Sequence, residues 1–207
     1  MKYLSYIILQ VWIMCVFQSC KEETQTVVEP LPLGLLKDGD LAFRRGVGLM
    51  SRAVLVADGK GIYSHVGILK QIDGSWFVIH AVPDEPDFAG DVDRVKVDSI
   101  ARFFETGRAV QGTVMRMSCS ESVAREAAQM AYSMAHRHVL FDHQYDLSDT
   151  TAMYCTELVE FVYRKVGVDL AEGRLSTVNV PGMRGCYLLP SDLMANRKLN
   201  TIYYFSR

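Results

Sequence analysis

Three residues of this sequence have the side-chain chemistry of a nucleophilic site: Cys155, His65 and His80. Cys155 stands at or near the start of a predicted helix over 154–166, behind the cap-capable residues Ser148, Asp149, Thr150 and Thr151. Unpaired amides and the helix dipole at such an end favour a thiolate, the nucleophilic form of cysteine. The same residue also fits a plain packing role, because Cys155, Leu158, Val159, Val162 and Val166 share one apolar helical face. A thiol nucleophile needs a base within hydrogen-bond reach, and that base needs a third group to hold its useful tautomer. His65 and His80 can fill those two places, and each can equally be a satisfied histidine within a sheet.

The segments around them read as strands. Residues 62–70 and 75–82 are separated by a stretch ending in Asp73-Gly74, a hairpin signal. Period-two alternation puts His80 on a face with Trp76, Val78 and Val82, and His65 on a face with Tyr63 and Gly67, where the missing side chain leaves space beside the imidazole. Both histidines can then project from neighbouring strands, in a register that the sequence does not reveal. Further strands are expected at 41–43, 95–97, 113–117 and 201–205, and helices at 99–105, 120–135 and 191–195. Residues 47–56 read as a helix or a loop, and 83–93 and 142–151 as polar loops. This mixed order, with the main helices late, is α+β.

The chain has 207 residues, both charge signs interspersed and a formal net charge of −2, which suits one domain with appendages and gives no basic stripe for nucleic acid. The appendages lie at the start. Residues 1–20 read as a signal segment, with Lys2 before an apolar run that is too short to span a bilayer comfortably and ends at Gln18-Ser19-Cys20. A small residue before that cysteine resembles the bacterial lipobox and implies lipidation at Cys20. Residues 21–34, with Pro30 and Pro32, suit a tether, and 35–207 form the domain. The sequence Cys20-Lys21-Glu22-Glu23 also resembles the acidic export signal of surface lipoproteins of Bacteroidota. The expected location is therefore the cell envelope, held by lipid at the outer membrane. Of five cysteines, Cys119, Cys155 and Cys186 remain in the domain, so at least one thiol stays unpaired in an oxidising envelope.

The order of three motifs carries a resemblance. Gly39-Asp40-Leu41-Ala42-Phe43, then Tyr63-Ser64-His65-Val66-Gly67-Ile68, then Tyr154-Cys155-Thr156-Glu157-Leu158-Val159 resembles the permuted papain-like amidases, the YiiX/YaeF group of the NlpC superfamily, across residues 36–205. The resemblance implies a circularly permuted papain-like fold, an antiparallel sheet or partial barrel packed against helices. It implies that Cys155 is the nucleophile, His65 its base and His80 the orienting residue, where the group often has glutamate. It also implies cleavage of amide bonds, with peptidoglycan peptides as one substrate class and no cofactor. Acyl transfer and a non-catalytic, lipid-anchored binding module are the alternatives. Tyr154 either lines the site, contributes to the oxyanion hole or simply packs. His136, His138 and His143, with Asp142 or Asp146, could suggest a metal, but their place around a helix end and loop favours a simpler electrostatic role, and no metal is expected.

Overall fold

Alternating apolar residues build an eight-stranded sheet in the computed structural model, which describes residues 30–181 and 183–207. The signal segment, Cys20, most of the tether and Gly182 lie outside the described residues. The strands are β1 (Leu41–Arg45), β2 (His65–Ile72), β3 (Ser75–Val82), β4 (Arg94–Ser99), β5 (Gln111–Met117), β6 (Leu140–Phe141), β7 (Ala152–Met153) and β10 (Leu199–Ser206), in spatial order β10-β5-β1-β2-β3-β4-β6-β7. All neighbours are antiparallel except β6 and β7. The helices are α1 (Leu49–Asp58), α2 (Ile100–Phe103), α3 (Glu121–His136), α4 (Cys155–Lys165) and α5 (Pro190–Met194), and β8 (Ser176–Val180) pairs with β9 (Met183–Tyr187) as a separate hairpin. The architecture is α+β.

One face of the sheet packs Leu41, Phe43, Val66, Ile68 and Ile79 against α3 and α4 in the larger core. The other packs Ala42, Leu69, Val78 and Val114 against Phe103, Phe104 and Phe205. Helix α3 starts where its sequence directs, with the Ser120 side chain accepting from the Val123 amide. The Asp73-Gly74 turn joins β2 to β3 with positive φ at both residues, the geometry of a tight two-residue hairpin.

Some expectations need correction. The first histidine strand begins at His65 rather than 62, and Tyr63 turns into the larger core against Phe43, its ring centroid 6.0 Å away. The helix expected at 99–105 contracts to one turn, because Ser99 closes β4 and caps α2 by accepting from the Arg102 amide. The tail around Pro181, read as a loop, is the β8-β9 hairpin.

Register sets the site. Arg44 pairs with His65, Ala42 with Gly67, Ile68 with Ile79, His80 with Lys96, and Val78 with Asp98. Parity therefore puts Arg44, His65, Gly67, His80 and Asp98 on one face, the face of the smaller core. Gly67 does not leave open space beside the imidazole, as its missing side chain suggested. A β-carbon there would sit 2.9 Å from the His80 β-carbon and 2.4 Å from a Val78 methyl. Glycine instead allows the His80 strand to close on the His65 strand. Gly67→Ala is expected to destabilise the fold by about 1–3 kcal/mol through overpacking. Thermal unfolding measures the loss, and an unchanged midpoint would show that the strands separate freely.

Candidate active site

His65 and His80 meet edge to edge: His65 Nε2 lies 2.8 Å from His80 Nδ1. The ring centroids are 5.0 Å apart, and Phe103 packs against both rings at 5.8 and 5.2 Å. Both histidines are buried. Behind them, His80 Nε2 faces Asp98 Oδ2 at 3.4 Å. Neither atom has a well-formed hydrogen bond, so closing this short gap would satisfy two buried polar atoms at once.

This order dictates tautomers. A carboxylate only accepts, so Asp98 favours the proton on His80 Nε2 and leaves Nδ1 as a lone pair. His65 must then donate to it from Nε2, which leaves His65 Nδ1 as the basic nitrogen. Asp98 thus acts on His65 through His80. The sequence reading missed Asp98 because it stops the strand at residue 97, and only the register shows that Asp98 shares the face of His80.

The surroundings oppose positive charge on the rings. Burial drives His65 well below the ordinary imidazole range, and the Arg44 guanidinium and His80 add to the effect. Burial also lowers His80, against the contrary pull of Asp98. For Asp98, burial works to raise the carboxyl, but His80, Lys96 and Arg102 outweigh it and bring it down to about 2. Arg44 is itself buried, lies 4.6 Å over the Phe103 ring, donates to the Phe103 carbonyl at 3.1 Å and pairs with Glu85. Glu85 also pairs with Arg108, so one carboxylate serves two guanidinium groups.

Cys155 is the first residue of α4, at the place the sequence indicated. It faces the same cleft as His65, a hollow of about 1080 Å³. The amides of Val66, Thr156 and Cys155 itself favour its thiolate, yet burial outweighs them and pushes the thiol up to about 11. Burial thus favours the neutral thiol of Cys155 and the neutral imidazole of His65, against the pull of the helix terminus toward a thiolate. Cys155 and His65 face one cleft without a hydrogen bond joining their side chains, and such contacts often tighten only when substrate binds.

Tyr154 lines the cleft, but its hydroxyl accepts from the Leu188 amide at 3.1 Å and its own amide donates to Glu157 at 3.3 Å. Burial raises the Glu157 carboxyl to about 8. Cys119 and Cys186 are both unpaired thiols, the first partly buried and the second exposed. The other histidines have separate settings: His136 packs on the Tyr132 ring at 4.4 Å, and His143 lies 3.1 Å from Asp93 at the cleft.

No family model matches the chain, and no curated protein matches it in sequence. The fold is similar to that of a crystal structure of the metalloprotein YiiX from Escherichia coli O157:H7, with a TM-score of 0.66 and 19% identity over 83% of this chain and 98% of that one. The likeness is one of fold. Among the described residues, no group of three or more His, Cys, Asp or Glu side chains is arranged to hold a metal ion.

Two pH dependences follow from these environments. Alkylation of Cys155 is expected to accelerate as pH rises toward about 11, without a plateau near neutrality, as followed by iodoacetamide labelling and intact mass. A plateau below pH 7 would instead reveal a thiolate-imidazolium pair. Glu157 is raised from 4.5 to about 8 in the folded chain, so the folded state holds an extra proton between those values. Its contribution to stability is complete below the lower value and is lost as pH rises through about 8. Glu157→Gln is expected to flatten the fall in stability across that window, as measured by urea unfolding at stepped pH.

Proposed function

We propose that the chain is a cysteine hydrolase of the bacterial cell envelope that cleaves amide bonds, with peptide or N-acyl substrates and peptidoglycan peptides as the first class to test. The observation that carries this reading is the line Asp98, His80 and His65 behind the cleft that Cys155 faces. The Cys155 sulfur attacks the carbonyl carbon as its proton passes to His65 Nδ1. Backbone amides at the start of α4 hold the oxyanion, and the Tyr154 hydroxyl, which accepts from the Leu188 amide, keeps its own proton to donate beside them. The amine leaves with the proton from His65, and water, losing a proton to His65, then hydrolyses the thioester.

The fold in this reading is a circularly permuted papain-like one, in which the histidine strand β2 precedes the cysteine helix α4. The chain is held at the outer membrane by lipid on Cys20, which lies outside the described residues. Among the described residues no helix is long and apolar enough to cross a membrane. A second reading, acyl transfer to an acceptor other than water, gains support from apolar cleft residues such as Met50, Val54, Val82, Val180 and Met183.

Incubation with muropeptides and with N-acyl lipids, followed by intact mass and amine release, tests the reaction. His65→Ala is expected to lower turnover on the order of 10²–10⁴-fold, the usual worth of a general base. Asp98→Asn is expected to lower it less and to move the acid limb of the pH profile downward, because the lost carboxylate no longer favours a protonated imidazole. Turnover indifferent to Cys155→Ala would sink the proposal. A stable acyl adduct released only by an added amine or alcohol would favour transfer.

A further inference from the structure

Helix α1 is apolar in sequence and yet buries only one of its residues, Asp58. The Asp58 carboxylate accepts from the Ser191 amide at 3.1 Å and from the Ser191 hydroxyl, so its C-terminal end is tied to α5 by hydrogen bonds. Gly61 permits this approach, since a β-carbon there would lie 2.1 Å from an Asp58 oxygen. The rest of the helix presents hydrocarbon outward. Leu49 is 82% exposed and Val56 67%, with Val47, Met50 and Ile62 also exposed beside them.

The charges that the α1 segment itself exposes have one sign, while Asp84 and Glu85 stand elsewhere on the rim of the cleft that Met50 and Val54 line. Arg45, Arg52 and Lys60 are exposed, and Asp58, the one carboxylate in residues 45–62, is buried. The hairpin that packs against α1 continues the pattern: residues 175–189 contain no carboxylate and carry exposed Leu175 and Arg184. The chain as a whole is slightly acidic, with 24 Asp and Glu against 22 Lys and Arg, so the lack of exposed acid in these two segments is a local feature. Exposed apolar side chains ringed by cations match an anionic bilayer, where hydrocarbon enters the headgroup boundary and lysine and arginine meet lipid phosphates. A small soluble polyanion would satisfy the cations but leave Leu49 and Val56 without hydrocarbon to enter.

We propose that α1 and the adjoining β8-β9 hairpin form a docking surface for an anionic lipid bilayer. Met50 and Val54 of α1 and Val180 of the hairpin also line the cleft, so docking brings the cleft wall to the membrane and gives lipid-borne substrates a short path to Cys155. The docking itself does not depend on the chemistry proposed for Cys155.

The test uses the full chain with Leu49→Trp on vesicles of phosphatidylglycerol and phosphatidylcholine, with plain or brominated acyl chains. The introduced indole is expected to shift to the blue and to lose roughly half its emission to bromine, relative to the unsubstituted chain on the same vesicles. Reversing Arg45, Arg52 and Lys60 to glutamate should abolish that quenching. Hydrogen exchange of residues 47–57 in the unsubstituted chain should slow on the same vesicles, which guards against a folding defect in the variants. No quenching while the protein stays vesicle-bound through its other end would overturn the proposal. So would protection of α1 that follows protein concentration without vesicles, the mark of a second copy on this face.

Discussion

The 2.8 Å contact between His65 and His80 is the constraint around which the rest of the site is arranged. It joins two neutral rings in a setting where a charged ring would be costly, and it requires β2 and β3 to lie close. Gly67 meets that requirement by omitting a side chain beside His80, while Phe103 packs on both rings and keeps water from competing for their nitrogens. A buried donor left without an acceptor costs about 1–3 kcal/mol, so each imidazole stabilises the other's orientation as well as its tautomer.

Electrostatics explain why a histidine can stand where a carboxylate would bind an imidazolium more strongly. The negative charge has moved one residue outward, to Asp98, where Arg102 at 3.4 Å and Arg108 at 3.7 Å also reach it. The influence of Asp98 arrives at His65 as a preference for one tautomer rather than as a direct ion pair. Arg44 pushes in the other direction, disfavouring a protonated His65, and Glu85 offsets that guanidinium. Glu85 lies between β3 and β4, in the stretch that the sequence shows only as a loop. Its pairing with both Arg44 and Arg108 makes that loop part of the electrostatic setting of the site.

The legible and illegible parts of the site divide along physical lines. Cys155 at a helix start and the histidines on adjacent strands are visible because capping residues, alternation and an Asp-Gly turn are local signals. Asp98 and Glu85 are not, because their importance comes from register and from a loop folding back on the sheet, which no local pattern encodes. The same limit explains the role of Gly67, whose purpose depends on what stands opposite. Burial is also non-local. The helix terminus at Cys155 favours a thiolate, but desolvation is the larger effect and raises the thiol. The short strands β6 and β7, two residues each, carry too little pattern to be read, although they place Met153 directly before the Tyr154-Cys155 pair.

A neutral resting pair changes what binding must accomplish. With a preformed thiolate, a substrate needs only to be placed near sulfur; in the reaction proposed for a neutral thiol and a neutral base, proton transfer and attack would proceed together, and the amides at the start of α4 would gain most of their value as charge develops. An apolar wall then has two effects. Its low local dielectric disfavours a thiolate, and the same setting strengthens the hydrogen bonds that would meet a developing oxyanion. The burial that makes Cys155 a weak thiolate at rest is thus compatible with catalysis, provided that substrate aligns Cys155 with the one imidazole nitrogen that His80 and Asp98 leave free.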